Sequence, residues 1–133
     1  MVFVDTGPFV ARYLPNDPFR ERALRVWKRL ENSELYTSNH ILDETFTLMA
    51  RRAGYPFAAE RAQRFYSSDA FEIISSTRED EVEAVRFFQK FGDQAISFTD
   101  SVSFAIMRRY GISTAFTFDR HFVQAGFDVI GFQ

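Results

Sequence analysis

The amino-acid sequence predicts one α/β domain, residues 1–133, with a mostly parallel central sheet flanked by helices. Three observations support this prediction. Short apolar runs alternate with longer helical segments, as in sheets whose parallel strands are joined by helices. The 133 residues suit one compact domain. Neither a repeat nor a low-complexity linker divides the chain.

The first half of the chain predicts two strands and four helices. Pro8 suits the first turn of a helix, because the N–H group that proline lacks would be unpaired there. Gly54 is typical of a residue that ends a helix, and Ser38 or Asn39 is typical of one that begins a helix. The predicted elements are, in order, a strand at Val2–Val4, a helix from Gly7 to Leu14, a helix at Phe19–Leu30, a strand at Leu35–Thr37, a helix from Ser38 or Asn39 to Ala53, and a helix at Phe57–Ser67.

The second half predicts three strands and three helices. Thr77 and Asp80 have the spacing of a capping box, here with a carboxylate as its second member. Gly111 stops the helix that precedes it. The predicted elements are, in order, a strand at Phe71–Ser75, a helix at Thr77–Phe91, a helix at Thr99–Tyr110, a strand at Ala115–Phe118, a short helix at His121–Ala125 and a last strand at Val129–Ile130.

Composition excludes several classes of protein. Without cysteine, the chain can form neither a disulfide scaffold nor a thiolate metal site, and it fits a reducing cytoplasm, where we expect the protein to reside. The start of the chain lacks the basic and apolar regions of a signal peptide, and no apolar run approaches the roughly 20 residues of a membrane span. The net charge of −2 argues against a basic surface for long nucleic acid, although cations bound to carboxylates can offset that charge.

Two aspartates directly follow predicted strands. Asp5 ends the run Val-Phe-Val-Asp, and Asp119 ends the run Phe-Thr-Phe-Asp. In an open α/β sheet the ligand site lies beyond the carboxyl ends of the strands, so both carboxylates are candidates for that site. Either residue could instead be the N-cap of the helix that follows it. Two such strand ends carry more weight than one, and paired carboxylates repel each other unless a cation holds them.

Further acidic candidates lie on predicted helices. Asp100 occupies the first turn of a helix, where spacing alone favours compensation of the helix dipole over a role as a third ligand. Glu44 and Asp43 lie at opposite margins of an apolar helix stripe, and periodicity does not choose between them. For both of them a solvated position is the more common alternative.

A carboxylate site in a chain without cysteine predicts a hard metal ion, Mg²⁺ or Mn²⁺, rather than zinc. Such an ion activates water and binds the oxygens of a phosphodiester during in-line displacement. The two histidines, His40 and His121, have no partner at the sequence spacing of metal ligands. We therefore expect both histidines to be structural or surface residues.

Four acidic segments together resemble the PIN-domain family, and within it the VapC-type toxins of prokaryotic toxin–antitoxin pairs. The segments are Phe3–Phe9, Ser38–Glu44, Asp93–Met107 and Ala115–Phe122, the last followed by Ala125-Gly126-Phe127. Their order and spacing span nearly the whole chain, and the segment that contains Asp100 is the most specific match. The resemblance selects Glu44 over Asp43.

This resemblance implies a three-layer, Rossmann-like domain and a Mg²⁺-dependent endoribonuclease. The residues implied at its site are Asp5 and Asp100 as the main metal ligands, Glu44 and Asp119 as acids that complete the pocket directly or through water, and Thr6 and Thr117 as hydroxyl residues that orient the carboxylates. One departure is Arg120, because an arginine beside the fourth acid can pair with it and weaken it as a ligand.

Three partners are also implied by the resemblance. They are an RNA substrate, a cognate antitoxin protein whose tail covers the site, and a second copy of the chain in a homodimer. Some of the 17 phenylalanines would then cover the interface, where aromatic residues are enriched.

Other functions for an aspartate after a first strand fit less well. A phosphatase of the haloacid-dehalogenase type has a second aspartate two residues later, where this chain has Gly7. A phosphate-accepting receiver domain needs a lysine after a late strand, and neither Lys28 nor Lys90 follows one. A catalytically silent interaction module that keeps the PIN fold is the remaining alternative, and the presence of all four acids counts against it.

Overall fold

The computed structural model describes residues 1–132, and this range contains five short strands and seven α-helices. The strands are β1 (Val2–Val4), β2 (Leu35–Ser38), β3 (Phe71–Ile74), β4 (Thr114–Phe116) and β5 (Asp128–Ile130). The helices are α1 (Thr6–Tyr13), α2 (Arg20–Arg29), α3 (Asn39–Ala53), α4 (Tyr55–Tyr66), α5 (Arg78–Lys90), α6 (Phe98–Tyr110) and α7 (His121–Gln124). A short 3₁₀ helix, Gly92–Gln94, lies between α5 and α6 and was not predicted from the sequence.

The five strands form one parallel sheet in the order β3-β2-β1-β4-β5. Phe3 of the central strand β1 lies beside Tyr36 of β2 and Ala115 of β4. The chain moves outward from β1 to β3 and then returns to β4 on the other side of β1, so the direction of winding reverses between β1 and β4. Ligands of open α/β sheets bind at such a switch point. The predicted α/β fold with a parallel central sheet is confirmed.

Aromatic side chains form two groups in the core. The first joins α1, α2, α4 and β3 through Phe9, Trp27, Phe65 and Phe71, whose neighbouring ring centroids lie 5.0 to 5.9 Å apart. The second includes Phe87, Phe91, Phe104, Phe122 and Phe127, from α5, α6 and the segment around α7. Right-handed crossovers place the helices that precede β3 and those that follow it on opposite faces of the sheet, which gives three layers. Among residues 1–132, every helix is too short or too polar to cross a lipid bilayer.

A buried carboxylate fixes α5 to α6. Asp80, in the first turn of α5, accepts hydrogen bonds from Nε and Nη2 of Arg109 at 2.7 and 2.8 Å. The same carboxylate accepts the Thr77 N–H at 2.9 Å, and the Thr77 hydroxyl accepts the Asp80 N–H at 3.1 Å, so the predicted capping box is present. Burial alone would raise the pKa of Asp80, but these hydrogen bonds and the positive charge of Arg109 lower it below its usual range.

The fourth strand is shorter than predicted. β4 ends at Phe116 rather than Phe118, because the Thr117 hydroxyl accepts the N–H of Asp119 at 2.9 Å and turns the backbone out of the strand. Asp119 therefore follows β4 after a short turn and not directly. This turn directs the chain across the carboxyl end of β1, which brings the fourth acid toward the switch point.

Candidate active site

A cleft at the carboxyl ends of the strands contains the four acidic residues that the sequence identifies. It has a volume of about 580 Å³ and opens at the switch point between β1 and β4. Its lining includes Asp5, Glu44, Asp100 and Asp119, together with Thr6, Ser97 and His121. Residues from four separate segments thus meet in one place.

Asp5 is positioned by the sheet. Its backbone N–H donates to the Phe116 carbonyl at 3.0 Å, which extends the pairing of β1 with β4 by one residue. Asp5 is also the N-cap of α1, but its side chain makes no capping hydrogen bond. The Asp5 side chain is buried at the base of the cleft, where its carboxylate accepts a hydrogen bond from the Thr117 hydroxyl. The capping alternative raised by the sequence does not account for its orientation.

Thr117 links two of the acidic segments through one hydroxyl group. Its Oγ1 donates to Oδ2 of Asp5 at 2.7 Å and accepts the backbone N–H of Asp119 at 2.9 Å. Thr6 contributes differently from what the resemblance implies, because it is its backbone N–H, and not its hydroxyl, that lowers the pKa of Asp5. The Thr6 hydroxyl is buried and has no hydrogen-bond partner within residues 1–132. Thr117 is thus the hydroxyl residue that orients a carboxylate here.

Asp100 reaches the cleft from the first turn of α6. The hydroxyl of Ser97, the N-cap residue, accepts the Asp100 N–H at 3.0 Å and fixes this turn. Asp100 is only 9 % exposed. A carboxylate that merely compensates a helix dipole is usually solvated, so the burial of Asp100 favours a role in the cleft over the dipole alternative.

Burial and mutual repulsion raise the pKa of two of these carboxyl groups. Burial raises the pKa of Asp5 to about 6; the hydrogen bond from Thr117 opposes this shift, and the charges of Asp119 and Glu44 add to it. Burial also raises the pKa of Asp100 to about 8, with further contributions from the charges of Asp5 and Asp119. Acids this close cannot all ionise unless a positive charge compensates them.

The structure separates the two adjacent acids on α3. Glu44 is half-buried and lines the cleft, whereas Asp43 is exposed and lies outside it. The orientation of α3 follows from its cap, where the Ser38 hydroxyl accepts the Ile41 N–H at 3.3 Å, and from the burial of Ile41 and Leu42. Glu44 is therefore the α3 acid that faces the other three.

His121 belongs to this cleft, although its spacing in the sequence did not indicate a site. Its Nδ1 lies 2.9 Å from Oδ1 of Asp119 and 3.9 Å from Oδ2 of Asp100. Ligand atoms of these three residues lie within 4.8 Å of one another, close enough for one metal ion to contact them all. The other histidine, His40, contacts the Ser76 hydroxyl at 2.8 Å and does not line the cleft. The expectation of a purely structural or surface role is therefore wrong in placing His121 away from the acids.

Arg120 does not neutralise the fourth acid. Its guanidinium lies over the ring of Phe132, 4.6 Å from the ring centroid, and it forms no ion pair with Asp119 within residues 1–132. Oδ1 of Asp119 instead accepts the backbone N–H of His121 at 2.9 Å. The departure from the family pattern at this position leaves the carboxylate available to the cleft.

The donor set of the cleft fits a divalent cation. Its carboxylate oxygens come from separate elements and face one open space, and a positive charge there would offset the repulsion that raises the pKa of Asp5 and Asp100. Carboxylate oxygens are preferred ligands of Mg²⁺ and Mn²⁺. Since the cleft is open, it also leaves room for a phosphodiester beside the cation.

Comparison with known proteins agrees with the fold. The sequence matches the PIN domain family over residues 2–128. It is 36% identical over 127 residues to the 23S rRNA-specific endonuclease VapC20 of Mycobacterium tuberculosis strain H37Rv, with 96% of this chain and 95% of that protein covered.

Two solved structures are similar over nearly the whole chain. The crystal structure of Mycobacterium tuberculosis VapC20, described as a sarcin-ricin loop cleaving toxin, has a TM-score of 0.88 and 34% identity and is covered to 96%, as is this chain. FitAcB from Neisseria gonorrhoeae shares the fold at a TM-score of 0.75 and 18% identity, with 98% of this chain and 96% of that chain covered. The match over residues 2–128 and the identity of 36% with a relative confirm the resemblance found in the sequence, and this chain belongs to the PIN-domain family.

Proposed function

We propose that this protein is a metal-dependent endoribonuclease of the VapC type, the toxin of a toxin–antitoxin pair, and that it cleaves ribosomal RNA. The observation that carries the proposal is the meeting of four acids in one cleft of a chain that is 36% identical to a 23S rRNA-specific endonuclease. The proposed cofactor is Mg²⁺ or Mn²⁺, because carboxylate oxygens predominate among the available ligands.

Asp5 and Asp100 are the proposed main ligands, and Asp119 and Glu44 complete the pocket. A divalent cation bound here would supply the positive charge that stabilises phosphate oxygens in the transition state and makes water a better nucleophile. Thr117 keeps the Asp5 carboxylate in one orientation and holds the backbone at Asp119. Glu44 lines the same cleft, and its carboxylate is the proposed acceptor for the proton of the attacking water. Hydrolysis would join the water oxygen to phosphorus and break the bond to the leaving ribose oxygen, which would take up a proton from solvent.

Cleavage of RNA by the purified protein tests this proposal. We expect intact ribosomes or 23S rRNA to be cut in the presence of Mg²⁺ or Mn²⁺ and to stay intact with EDTA. Asp5→Asn and Asp100→Asn should each lower the rate at least about a hundredfold, since each removes a charged ligand. Asp128→Asn is the matched control, because Asp128 is exposed and begins β5 at the opposite end of the sheet.

Two results would contradict the nuclease proposal. One is the absence of cleavage by the folded wild-type protein on every RNA tested with either metal. The other is cleavage that persists in both cleft variants, which would indicate a contaminating nuclease. Metal binding without cleavage would favour the silent interaction module.

An antitoxin partner is part of the proposal, because the VapC20 structure is described as that of a toxin. The acidic cleft of the present protein suits an antitoxin segment that covers it and carries a basic side chain. Co-expression with the small open reading frame beside the gene should give a complex that co-elutes in size-exclusion chromatography. RNA cleavage by that complex should be lower than cleavage by the isolated protein, and equal rates would argue against this partner.

A homodimer is also proposed. Val82, Val85 and Phe88 expose apolar side chains at intervals of three residues on α5, and the Phe88 ring lies 5.5 Å from the half-exposed ring of Phe98. Apolar and aromatic residues grouped on one exposed face are typical of subunit interfaces. Light scattering should give about twice the 15.5 kDa chain mass for the wild type and the chain mass for Val85→Glu. A wild-type protein that is monomeric at micromolar concentration would contradict the proposal.

A further inference from the structure

The two ring nitrogens of His121 have different surroundings. Nε2 lies 2.8 Å from the backbone carbonyl oxygen of Gln94. A carbonyl oxygen can only accept a hydrogen bond, so Nε2 carries the hydrogen. In a neutral imidazole the lone pair then lies on Nδ1, the nitrogen that faces the acidic cleft.

Nδ1 is buried and has no hydrogen-bond partner within residues 1–132. It lies only 2.9 Å from Oδ1 of Asp119, an oxygen that already accepts the His121 backbone N–H. Two atoms that both carry lone pairs repel each other at this distance unless a positive centre lies between them. Either a proton or a metal ion can be that centre.

The surrounding geometry favours a metal ion. Two ligands of an ion with bonds of about 2.1 Å lie between about 3 and 4 Å apart, and Nδ1 is 2.9 Å from Asp119 and 3.9 Å from Asp100. Metal-binding histidines usually donate the second N–H to a carbonyl or carboxylate, as Nε2 does here. Thr6 lines the same cleft and is 5% exposed, and its hydroxyl is a second buried polar group without a hydrogen-bond partner among residues 1–132.

We propose that His121 provides, through Nδ1, a nitrogen ligand to the divalent cation that Asp100 and Asp119 hold. This inference rests on the proposed function, because it concerns the same metal. Imidazole nitrogen is a softer ligand than carboxylate oxygen and suits Mn²⁺ better than Mg²⁺. His121 therefore biases the site toward Mn²⁺ and toward later divalent transition metals, which a set of four carboxylates would not do to the same extent.

Pulsed electron paramagnetic resonance of Mn²⁺ bound to the protein tests the proposal, because it detects nitrogen atoms bonded directly to the metal. We expect a nitrogen coupling in the wild type and in His40→Ala, and its loss in His121→Ala. Calorimetry should show that His121→Ala weakens Mn²⁺ binding about tenfold or more and Mg²⁺ binding less. His40→Ala is the matched control, since it removes the other histidine of the chain, which lies outside the cleft.

Labelling keeps the test independent of how well His121→Ala folds. In His40→Ala protein grown with isotopically labelled histidine, the label is confined to His121, so the nitrogen coupling should change with the isotope. Mn²⁺ bound without a histidine coupling in the wild type overturns the proposal and shows that Nδ1 holds only a proton. Failure of the wild type to bind Mn²⁺ at millimolar concentration overturns it as well.

The outcome is separable from that of the proposed function. A histidine coupling without any RNA cleavage would refute the nuclease and leave the ligand assignment in place. Metal-dependent RNA cleavage without a histidine coupling would refute the ligand assignment and leave the nuclease proposal in place.

Discussion

Replacing Asp100 by asparagine should stabilise the metal-free protein while it removes a proposed ligand. The side chain keeps its size, but the amide carries no charge and can donate a hydrogen bond to the neighbouring Asp119 carboxylate. Burial and the charges of Asp5 and Asp119 disfavour an ionised carboxylate at position 100. In the unfolded chain the same group is solvated and ionises freely, so its ionisation opposes folding.

The size of the effect follows from the pKa of Asp100, which folding raises from 3.8 to about 8. Below the lower value the group is protonated in both states and contributes nothing. As the pH rises from about 4 to about 8, the unfolded chain releases the proton and the folded protein retains it, so stability falls with increasing pH. Between the unfolded pKa and pH 7 lie about three pH units, each worth about 1.4 kcal/mol, so the loss of folding stability at pH 7 is at most about 4 kcal/mol. Because the cleft is open to water and salt, we expect about 2 kcal/mol.

Thermal unfolding in EDTA, followed by circular dichroism between pH 5 and pH 8, measures this effect. A gain of about 2 kcal/mol corresponds to a melting temperature higher by about 7 °C at pH 7. The variant should also lose part of the decline with pH that the wild type shows, and Asp128→Asn should behave as the wild type. Mn²⁺ should stabilise the wild type more than Asp100→Asn. A wild-type melting temperature that does not fall with pH, together with no stabilisation in the variant, would refute the reasoning.

Three further substitutions test other contacts. Thr117→Val removes the hydroxyl that bonds to the carboxylate after β1, so calorimetry should show Mn²⁺ affinity lower by about tenfold to a hundredfold; an unchanged affinity would exclude an orienting role. Asp80→Ala removes the capping box of α5 and the ion pair with Arg109 of α6. Denaturant unfolding should show a loss of about 3 kcal/mol in the free energy of unfolding. The control Glu83→Ala breaks an exposed ion pair and should lower that free energy by less than about 0.5 kcal/mol. Gly131→Ala places a Cβ 2.3 Å from the Thr117 carbonyl oxygen at a φ of 133°, so it should lower the free energy of unfolding by about 2 kcal/mol or more. The control Gly92→Ala has open space around its Cβ and should lower that free energy much less. Equal losses in the two variants would argue against the clash.

The sequence predicted the elements of the fold well because each strand and helix carries its own local signal. The run Val2–Val4 and the capping residues Ser38 and Thr77 lie where the structure has a strand and two helix starts. The error at β4 arose because a hydrogen bond between Thr117 and the backbone two residues later ended a run that remains apolar in sequence. A contact of that kind is invisible to a pattern based on hydrophobicity.

The candidate site was only partly predictable from the residues themselves. Asp5 and Asp119 follow from the rule that ligands bind beyond strand ends. Asp100 does not follow from that rule, because an acid in the first turn of a helix is explained by compensation of the helix dipole. Only the family resemblance assigned Asp100 to the site. Its place in the cleft depends on the crossover from β3 to β4, which periodicity does not reveal.

His121 was missed for a related reason. Spacing rules look for ligands that lie a few residues apart, whereas Asp100 lies on a different helix. The hydrogen on Nε2, which leaves Nδ1 facing the acids, depends on the backbone of Gln94 in a third segment. Information of this kind exists only once the chain has folded.

The hydrogen bond between Thr117 and Asp5 joins residues 112 positions apart in the chain. During synthesis, the first of these residues leaves the ribosome long before the second, and β1 lacks a neighbour on one side until β4 has been made. The cleft therefore cannot form on a nascent chain that ends before β4. If the proposed nuclease activity on ribosomal RNA is correct, that activity can arise only near the end of the protein's own translation.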